Sequence, residues 1–495
     1  MTVSTDQKSN QWKTLDKDLN RISQVEYATQ YVARPLVGLG VALAFIVVAA
    51  LGAAVFFGQT PTSLVVVIAA AFGAYMALNI GANDVANNMG PAVGANALTM
   101  GGAIVIAALF ESAGALLAGG DVVSTISKGI IDPSGFEHTR TFVWAMMAAL
   151  ISSALWVNLA TWVGAPVSTT HSVVGGVMGA GIAAAGFAAV SWPTMGKIAA
   201  SWVISPVLGG VIAAMFLALI KHKIVYQDDK IAAAKRWVPI LIGIMAAAFG
   251  AYLSIKGLKR IIKIDLGTAL MIGATAGAIA YVVTAPLIAR QAEGLENRTK
   301  SLKTLFALPL IFSAALLSFA HGANDVANAV GPLAAIVHVE SFGDFAAKVS
   351  IPTWVMVIGA FGISFGLMLF GPKLIRMVGS QITKLNPMRA YCVALSAAIT
   401  VIVASWLGLP VSSTHIAVGG VFGVGFYREF HMERRLRKSA AARPEAKRIA
   451  PEERRRRKLV RRSHFMTIVA AWVITVPAAA VMSALIFYML NAIVA

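Results

Sequence analysis

Apolar runs long enough to cross a bilayer alternate with short polar interruptions along almost the whole chain. At about 20 residues per crossing, they predict spans near 36–57, 63–80, 98–119, 142–163, 172–190, 197–220, 237–255, 266–288, 304–320, 352–370, 390–407 and 466–493. A shorter run at 416–427 has the length of half a span. The fold class this predicts is all-α, a polytopic membrane protein of roughly 12 transmembrane helices. Small residues crowd many of these runs, as in Ala42–Ala54, Ala180–Ala189 and Gly273–Ala280. Close approach of backbones suits helix packing in lipid, where burial of apolar area drives nothing.

The polar interruptions come in two pairs. Asn79-Ile80-Gly81-Ala82-Asn83-Asp84-Val85-Ala86-Asn87 returns as Ala320-His321-Gly322-Ala323-Asn324-Asp325-Val326-Ala327-Asn328. Gly164-Ala165-Pro166-Val167-Ser168-Thr169-Thr170-His171 returns as Gly408-Leu409-Pro410-Val411-Ser412-Ser413-Thr414-His415. Both recur after about 240 residues, the mark of a duplicated half. The organisation expected is a polar tail (1–34), an extra helix (35–60), repeat 1 (61–220), connecting helices with basic loops (221–303), repeat 2 (304–427), a basic cytoplasmic loop (428–465) and a last transmembrane helix (466–495). Repetition alone does not tell whether the second copy is inverted. Both ends of 237–255 are basic, so charge bias does not orient that hairpin.

Composition fits the pattern. The chain is 58% hydrophobic with mean hydropathy +0.75, and 13% charged, about half the usual globular share. The net charge of +19 is concentrated: residues 428–465 hold 15 Lys and Arg against 5 acids. In a membrane protein such a loop fixes topology beside anionic lipid and calls for no nucleic-acid partner. Cys392 is the only cysteine, which excludes an internal disulfide. Residues 1–34 carry no signal-peptide pattern. No phosphate-binding P-loop, His-Glu-x-x-His, Cys-x-x-Cys or Gly-x-Ser-x-Gly motif occurs, so neither an ATP-driven motor nor an enzyme is indicated.

A carboxylate and carboxamides at membrane depth are costly unless they serve a purpose. Gly81, Gly90 and Pro91 predict a broken helix at the first copy, whose freed carbonyls would join Asn83, Asp84 and Asn87 in a hard-oxygen shell for Na⁺ or a proton. Asn324, Asp325 and Asn328 repeat the set. Polar glue between helices is the plainer alternative, and retention of the same five residues in both copies weighs against it. In the second motif, Ser or Thr after Pro opens a new apolar helix. The helix N-terminus with Ser168, Thr169, Thr170 and with Ser412, Ser413, Thr414 offers donors to a tetrahedral oxyanion without Arg or Lys, which suits a site that must release its anion. Ordinary N-capping is the alternative. His171 and His415 are expected to orient the turns rather than to sense pH. Glu111, in the span 98–119, is a candidate for cation or proton coupling, the alternative being a pairing with a polar neighbour. Asp121, Lys128 and Asp132 are expected at the interface, with Gln381 and Thr383 in a comparable place of the second half.

These motifs, in this order, together with Ile126-Ser127-Lys128-Gly129-Ile130-Ile131-Asp132, resemble those of the inorganic phosphate transporter (PiT) family, which holds sodium/phosphate symporters and bacterial relatives. The resemblance covers about 63–220 and 304–427. It implies inverted repeats, broken or re-entrant helices at the substrate site, and binding near the midplane. It implies phosphate on Ser168, Thr169, Thr170, Ser412, Ser413, Thr414, Asn87 and Asn328. Cations would sit on Asn83, Asp84, Asn324, Asp325 and Glu111, with Asp84 and Asp325 as the metal ligands if the cation is Na⁺. Glu111 matches an acid of the sodium-coupled members; their second acid is replaced by Ala394, which leaves Na⁺ or H⁺ open. The function implied is cation-coupled symport of inorganic phosphate by alternating access in the cytoplasmic (inner) membrane. No cofactor beyond the co-transported ion is expected; membrane lipid and a homodimer are the further partners. A transporter of sulfate or another oxyanion, or an ion channel, remains the alternative that donor chemistry admits.

Overall fold

The computed structural model describes residues 36–57, 63–163, 167–257, 264–344, 351–377, 385–442 and 462–494. The polar tail, residues 443–461 of the basic loop, and Gln381 and Thr383 lie outside the described residues. The helices are α1 (Leu36–Phe57), α2 (Ser63–Gly94), α3 (Met100–Ala118), α4 (Gly120–Ser124), α5 (Thr139–Val163), α6 (Thr169–Ala185), α7 (Trp192–Ile220), α8 (Lys230–Lys256), α9 (Leu266–Gln291), α10 (Leu302–Leu305), α11 (Ala307–Asp325), α12 (Ala327–Phe342), α13 (Thr353–Met377), α14 (Pro387–Trp406), α15 (Ser413–Ala442) and α16 (Arg462–Val494). Among the described residues 11 segments are long and apolar enough to cross a membrane, α11 and α12 acting as one.

Of the expected spans, 142–163, 172–190 and 390–407 do not cross. Ile131 before α5 pairs with Val190 after α6, and Asp132 and Ser191 donate their amides to Ala189 and Ile130 at 2.8 and 2.9 Å. The outer ends of α5 and α6 therefore lie on one face, and the pair is a re-entrant hairpin whose tip carries the Ser/Thr motif. α14 and α15 make the second hairpin, turning at Gly408, which takes the left-handed φ of 67° that favours glycine. A polar turn survives at this depth because protein, not lipid, surrounds it.

The halves are related by a pseudo-two-fold axis. α2 packs on α13 as α11 packs on α3, and α6 packs on α16 as α15 packs on α7. Equivalent glycines make the contacts: a Cβ on Gly81 would strike the Ile363 carbonyl oxygen, and one on Gly322 would strike that of Glu111. Gly366 meets Leu78 as Gly114 meets Phe319, and Gly175 meets Val476 as Gly419 meets Pro206. Each hairpin returns to its own face, so α2, α3, α7, α8 and α9 make an odd number of crossings before α11. The second repeat is thereby inverted.

Charge differs between the faces. One face carries the ends of α7, α9 and α13 and the outer ends of the second hairpin, where Lys221, Lys223, Arg290, Lys303, Lys373, Arg376 and Arg428 outnumber Asp228, Asp229, Glu293 and Glu296. The other face mixes Lys128 and Arg140 with Asp132, Glu137, Glu340 and Asp344. Lys256 pairs with Asp121 there, which orients the α8–α9 hairpin that charge bias left open. On this second face Asp132 caps the turn after it; the amide and hydroxyl of Ser134 donate to its carboxylate and hold it below the usual carboxylate range.

Candidate functional site

Both hairpin tips reach the middle of α2 and the α11–α12 junction, bringing all four motifs together. Thr169 and Thr414, one from each hairpin, donate their hydroxyls to the two oxygens of Asp84 at 2.8 and 3.2 Å. Ser413 donates to Asp325 at 3.4 Å. Asn87 donates to the Thr414 hydroxyl at 2.8 Å; its mate Asn328 reaches Thr170 at 3.2 Å and Thr169 at 3.3 Å. Asn83 donates to Thr161 as Asn324 donates to Ser405, both at 2.9 Å. All these groups except Thr161 are buried. Ser168 and Ser412 cap their helices, accepting from the amides of His171 and His415 at 3.1 and 3.3 Å. The rings of His171 and His415 meet edge to face with centroids 4.4 Å apart, so these histidines join the two tips.

The helix of the first copy is not broken. α2 runs unbroken from Ser63 to Gly94, and the second copy departs from helix only at Val326. Gly81, expected to break it, instead admits the backbone of α13 at Ile363, and breaking the ladder in so apolar a place would strand backbone groups. Proline still weakens the ladder. Pro91 and Pro332 have no N–H to return to Asn87 and Asn328 four residues earlier, so each copy loses one bond of the helix ladder beside its carboxamide.

One part of the site breaks the symmetry. His321 places Nε2 3.0 Å from Asp325 and 3.7 Å from Asp84, and Nδ1 3.4 Å from Glu111. Asn88 donates to the same Glu111 oxygen at 2.8 Å. The symmetry mates of His321 and Glu111 are Ile80 and Ile363, identified by the paired contacts of Gly81 and Gly322. Ala394, the position compared with Glu111 in the sequence, lies buried in α14 of the second hairpin and is not that mate.

Several buried oxygens have no hydrogen-bond donor among the described residues: Asn83 Oδ1, Asp325 Oδ1, Asn328 Oδ1 and Glu111 Oε2. All are acceptors, and orphaned acceptors beside carboxylates are the chemistry of a cation shell. Asp84, His321 and Asp325 bring one ligand atom each within 4.8 Å of one another. The donor side of the cradle is the pair of hairpin helix starts, whose first amides and dipoles favour an anion. Thr161, Ser405, Asn88 and His321 escaped the sequence reading. Thr161 and Ser405 stand at the same distance before Pro166 and Pro410, and His321 is where the two copies differ, so both signals were there.

The model of the phosphate transporter family matches residues 80–483. Several relatives carry the description "Putative phosphate permease". One from Helicobacter pylori strain J99 is 50% identical over 431 residues, covering 86% of this chain and 80% of its own. One from Pyrococcus furiosus is 36% identical over 423 residues, covering 86% and 95%; one from Haemophilus influenzae is 34% identical over 439 residues, covering 87% and 98%. A solved structure titled "The sodium-dependent phosphate transporter" superposes with a TM-score of 0.78 at 35% identity, covering 87% of this chain and all of that one.

Proposed function

The chain belongs to the phosphate transporter family, and from that premise we propose that it carries inorganic phosphate with Na⁺ across the cytoplasmic membrane, basic face inward. It is a multi-pass transport protein, not an enzyme. Phosphate is held between the hairpin tips by Ser168, Thr169, Thr170, Ser412, Ser413 and Thr414, with Asn87 and Asn328 reaching in from α2 and α12. Cations are held by Asp84, Asp325, Asn83, Asn324 and Glu111.

The observation that carries this reading is the double hydrogen bond of Asp84 to Thr169 and Thr414. It sets the cation-attracting carboxylate directly against the anion-binding tips of both halves. A cation at Asp84 and Asp325 neutralises carboxylates that would otherwise repel phosphate, so the anion enters only with its partner. Binding both also cancels most of the charge that must move through an apolar barrier. Na⁺ is favoured over a proton by the carboxamide and hydroxyl oxygens that surround the acids, which add ligands for a metal ion and nothing for a proton. The Na⁺ dependence of the structural relative supports the same choice. The basic loop 428–465 belongs to the cytoplasmic side by the positive-inside rule.

The test is radiolabelled phosphate uptake into proteoliposomes under imposed Na⁺ or H⁺ gradients. Uptake driven by inward Na⁺ is expected. Equal uptake with no cation gradient, or uptake that only a pH gradient drives, would overturn Na⁺ coupling.

A further inference from the structure

Two cavities enter from the basic face and abut at Arg376. The outer one, about 1090 Å³, lies at the end of α2 and is lined by Lys303, Arg376, Asn96 and Asn386. The inner one, about 700 Å³, runs beneath α1 past Lys373 and Arg376 to Asn79, Asn158 and Thr161. Thr161 accepts the bond from Asn83, so the inner end reaches the transport site itself. Asn158 donates to Asn79 at 3.1 Å and continues the polar row.

This row exists in one half only. The symmetry mates of Asn79 and Asn158 are Ala320 and Ile402, both apolar. Asn158 is exposed on α5, within the membrane-embedded part of the first hairpin. A carboxamide at membrane depth is costly, so its place at the inner end of a cavity whose wall is otherwise largely apolar calls for a purpose. Among the described residues neither cavity is lined by a carboxylate, while three cationic side chains and four carboxamides line them. Such walls attract anions and repel cations.

We propose that the two cavities form the cytoplasmic limb of the phosphate pathway, with Arg376 passing the anion between them to the Asn79–Asn158 row that only the first half carries. This rests on the phosphate-transport reading and on the basic face being cytoplasmic. The same chemistry fits the phosphate of a lipid headgroup whose chains lie along Leu39, Leu43 and Phe370, and the test separates the two.

Cys392 is the only cysteine and is buried, so Cys392→Ala gives a thiol-free parent. In that parent, Asn158→Cys, with Lys303→Cys as a second reporter in the outer cavity, is exposed from each side of proteoliposomes to sulfonate-bearing or trimethylammonium-bearing methanethiosulfonates. The expected result is faster modification by the anionic reagent from the cytoplasmic side. Inorganic phosphate should slow it, and Arg376→Gln should lower its rate about tenfold. Equal rates for the two reagents, no modification, or modification that phosphate does not slow would overturn the proposal. So would a phosphate-insensitive block seen only when the vesicles contain phosphatidylglycerol, which marks a lipid occupant. Phosphate uptake by the thiol-free parent reports separately on the transport reading, so failure of one is distinguishable from failure of the other.

Discussion

Nδ1 of His321 lies 3.4 Å from Oε1 of Glu111, at the crossing where α11 meets α3. At the symmetry-related crossing of α2 and α13 the same two places hold Ile80 and Ile363. The fold therefore tolerates either an apolar or a polar pair at this crossing, and the polar pair is present where the cation shell is built.

Glu111→Gln keeps an acceptor for Asn88 and removes the charge beside His321. Phosphate uptake is expected to fall by at least about tenfold, a loss of roughly 1.4 kcal/mol or more, with the amount of folded protein in the membrane unchanged. Glu111→Ile alone leaves Nδ1 of His321 and the Asn88 amide without their acceptor and should cost roughly 1–3 kcal/mol of stability. Adding His321→Ile makes this crossing like the other and should restore folded protein without restoring coupled uptake. Size-exclusion profiles in detergent and uptake assays read the two outcomes; recovery of coupled uptake by the double variant would remove the pair from the coupling machinery.

Asp84 accepts from hydroxyls of both hairpins, whereas Asp325 accepts one longer hydroxyl bond and faces His321. Asp84→Asn and Asp325→Asn should both abolish Na⁺-dependent uptake in folded protein. A hydrogen bond to a charged group contributes about 1.5–3 kcal/mol, so Asp84→Asn should also lower the thermal midpoint more than Asp325→Asn does. Wild-type uptake by either variant would contradict the cation assignment.

Gly81→Ala and Gly322→Ala each drive a methyl group into a carbonyl oxygen of the neighbouring helix. Separating helices that meet through their backbones should cost about 1–3 kcal/mol or more. Gly101, in α3, has open space where a Cβ would go, and Gly101→Ala should be neutral or stabilising by up to about 1 kcal/mol through helix propensity. Thermal unfolding in detergent ranks the three variants. Equal midpoints would show that the backbone contacts are more compliant than their geometry indicates.

The duplicated motifs made the cradle legible in the sequence because each copy carries its own half of the chemistry. The re-entrant path was harder to read. An apolar helix that turns back has the same hydropathy as one that crosses, and only the pairing of Ile131 with Val190 separates them. Gly81 reads as a helix breaker because a sequence shows a missing side chain but not the backbone that fills its place. Inversion was hidden for the same reason: it depends on whether two hairpins count as crossings. The repeat does not mark His321, because a repeat points to what the copies share and the role of His321 lies in what they do not.

Thr170 and Thr414 are symmetry mates that spend their hydroxyl protons differently. Thr414 donates to Asp84 at 3.2 Å, while Thr170 donates to the Val411 carbonyl of the opposite hairpin at 3.0 Å. Both also accept from an asparagine, Asn328 for Thr170 and Asn87 for Thr414. Removing either hydroxyl should weaken phosphate binding, since each tip loses one polar group. Only Thr414→Ala also takes a donor from the cation-binding carboxylate. Its loss leaves Asp84 more negative and less well positioned, so the Na⁺ concentration for half-maximal uptake should change with Thr414→Ala and stay constant with Thr170→Ala. A tip hydrogen bond is worth about 0.5–1.5 kcal/mol between neutral groups, which predicts a rise in phosphate KM of roughly two- to tenfold for both. Uptake measured over a grid of Na⁺ and phosphate concentrations separates the two effects. If Thr170→Ala shifts the Na⁺ dependence as far as Thr414→Ala does, the two halves share the cation site equally and the asymmetry at Asp84 has no bearing on coupling.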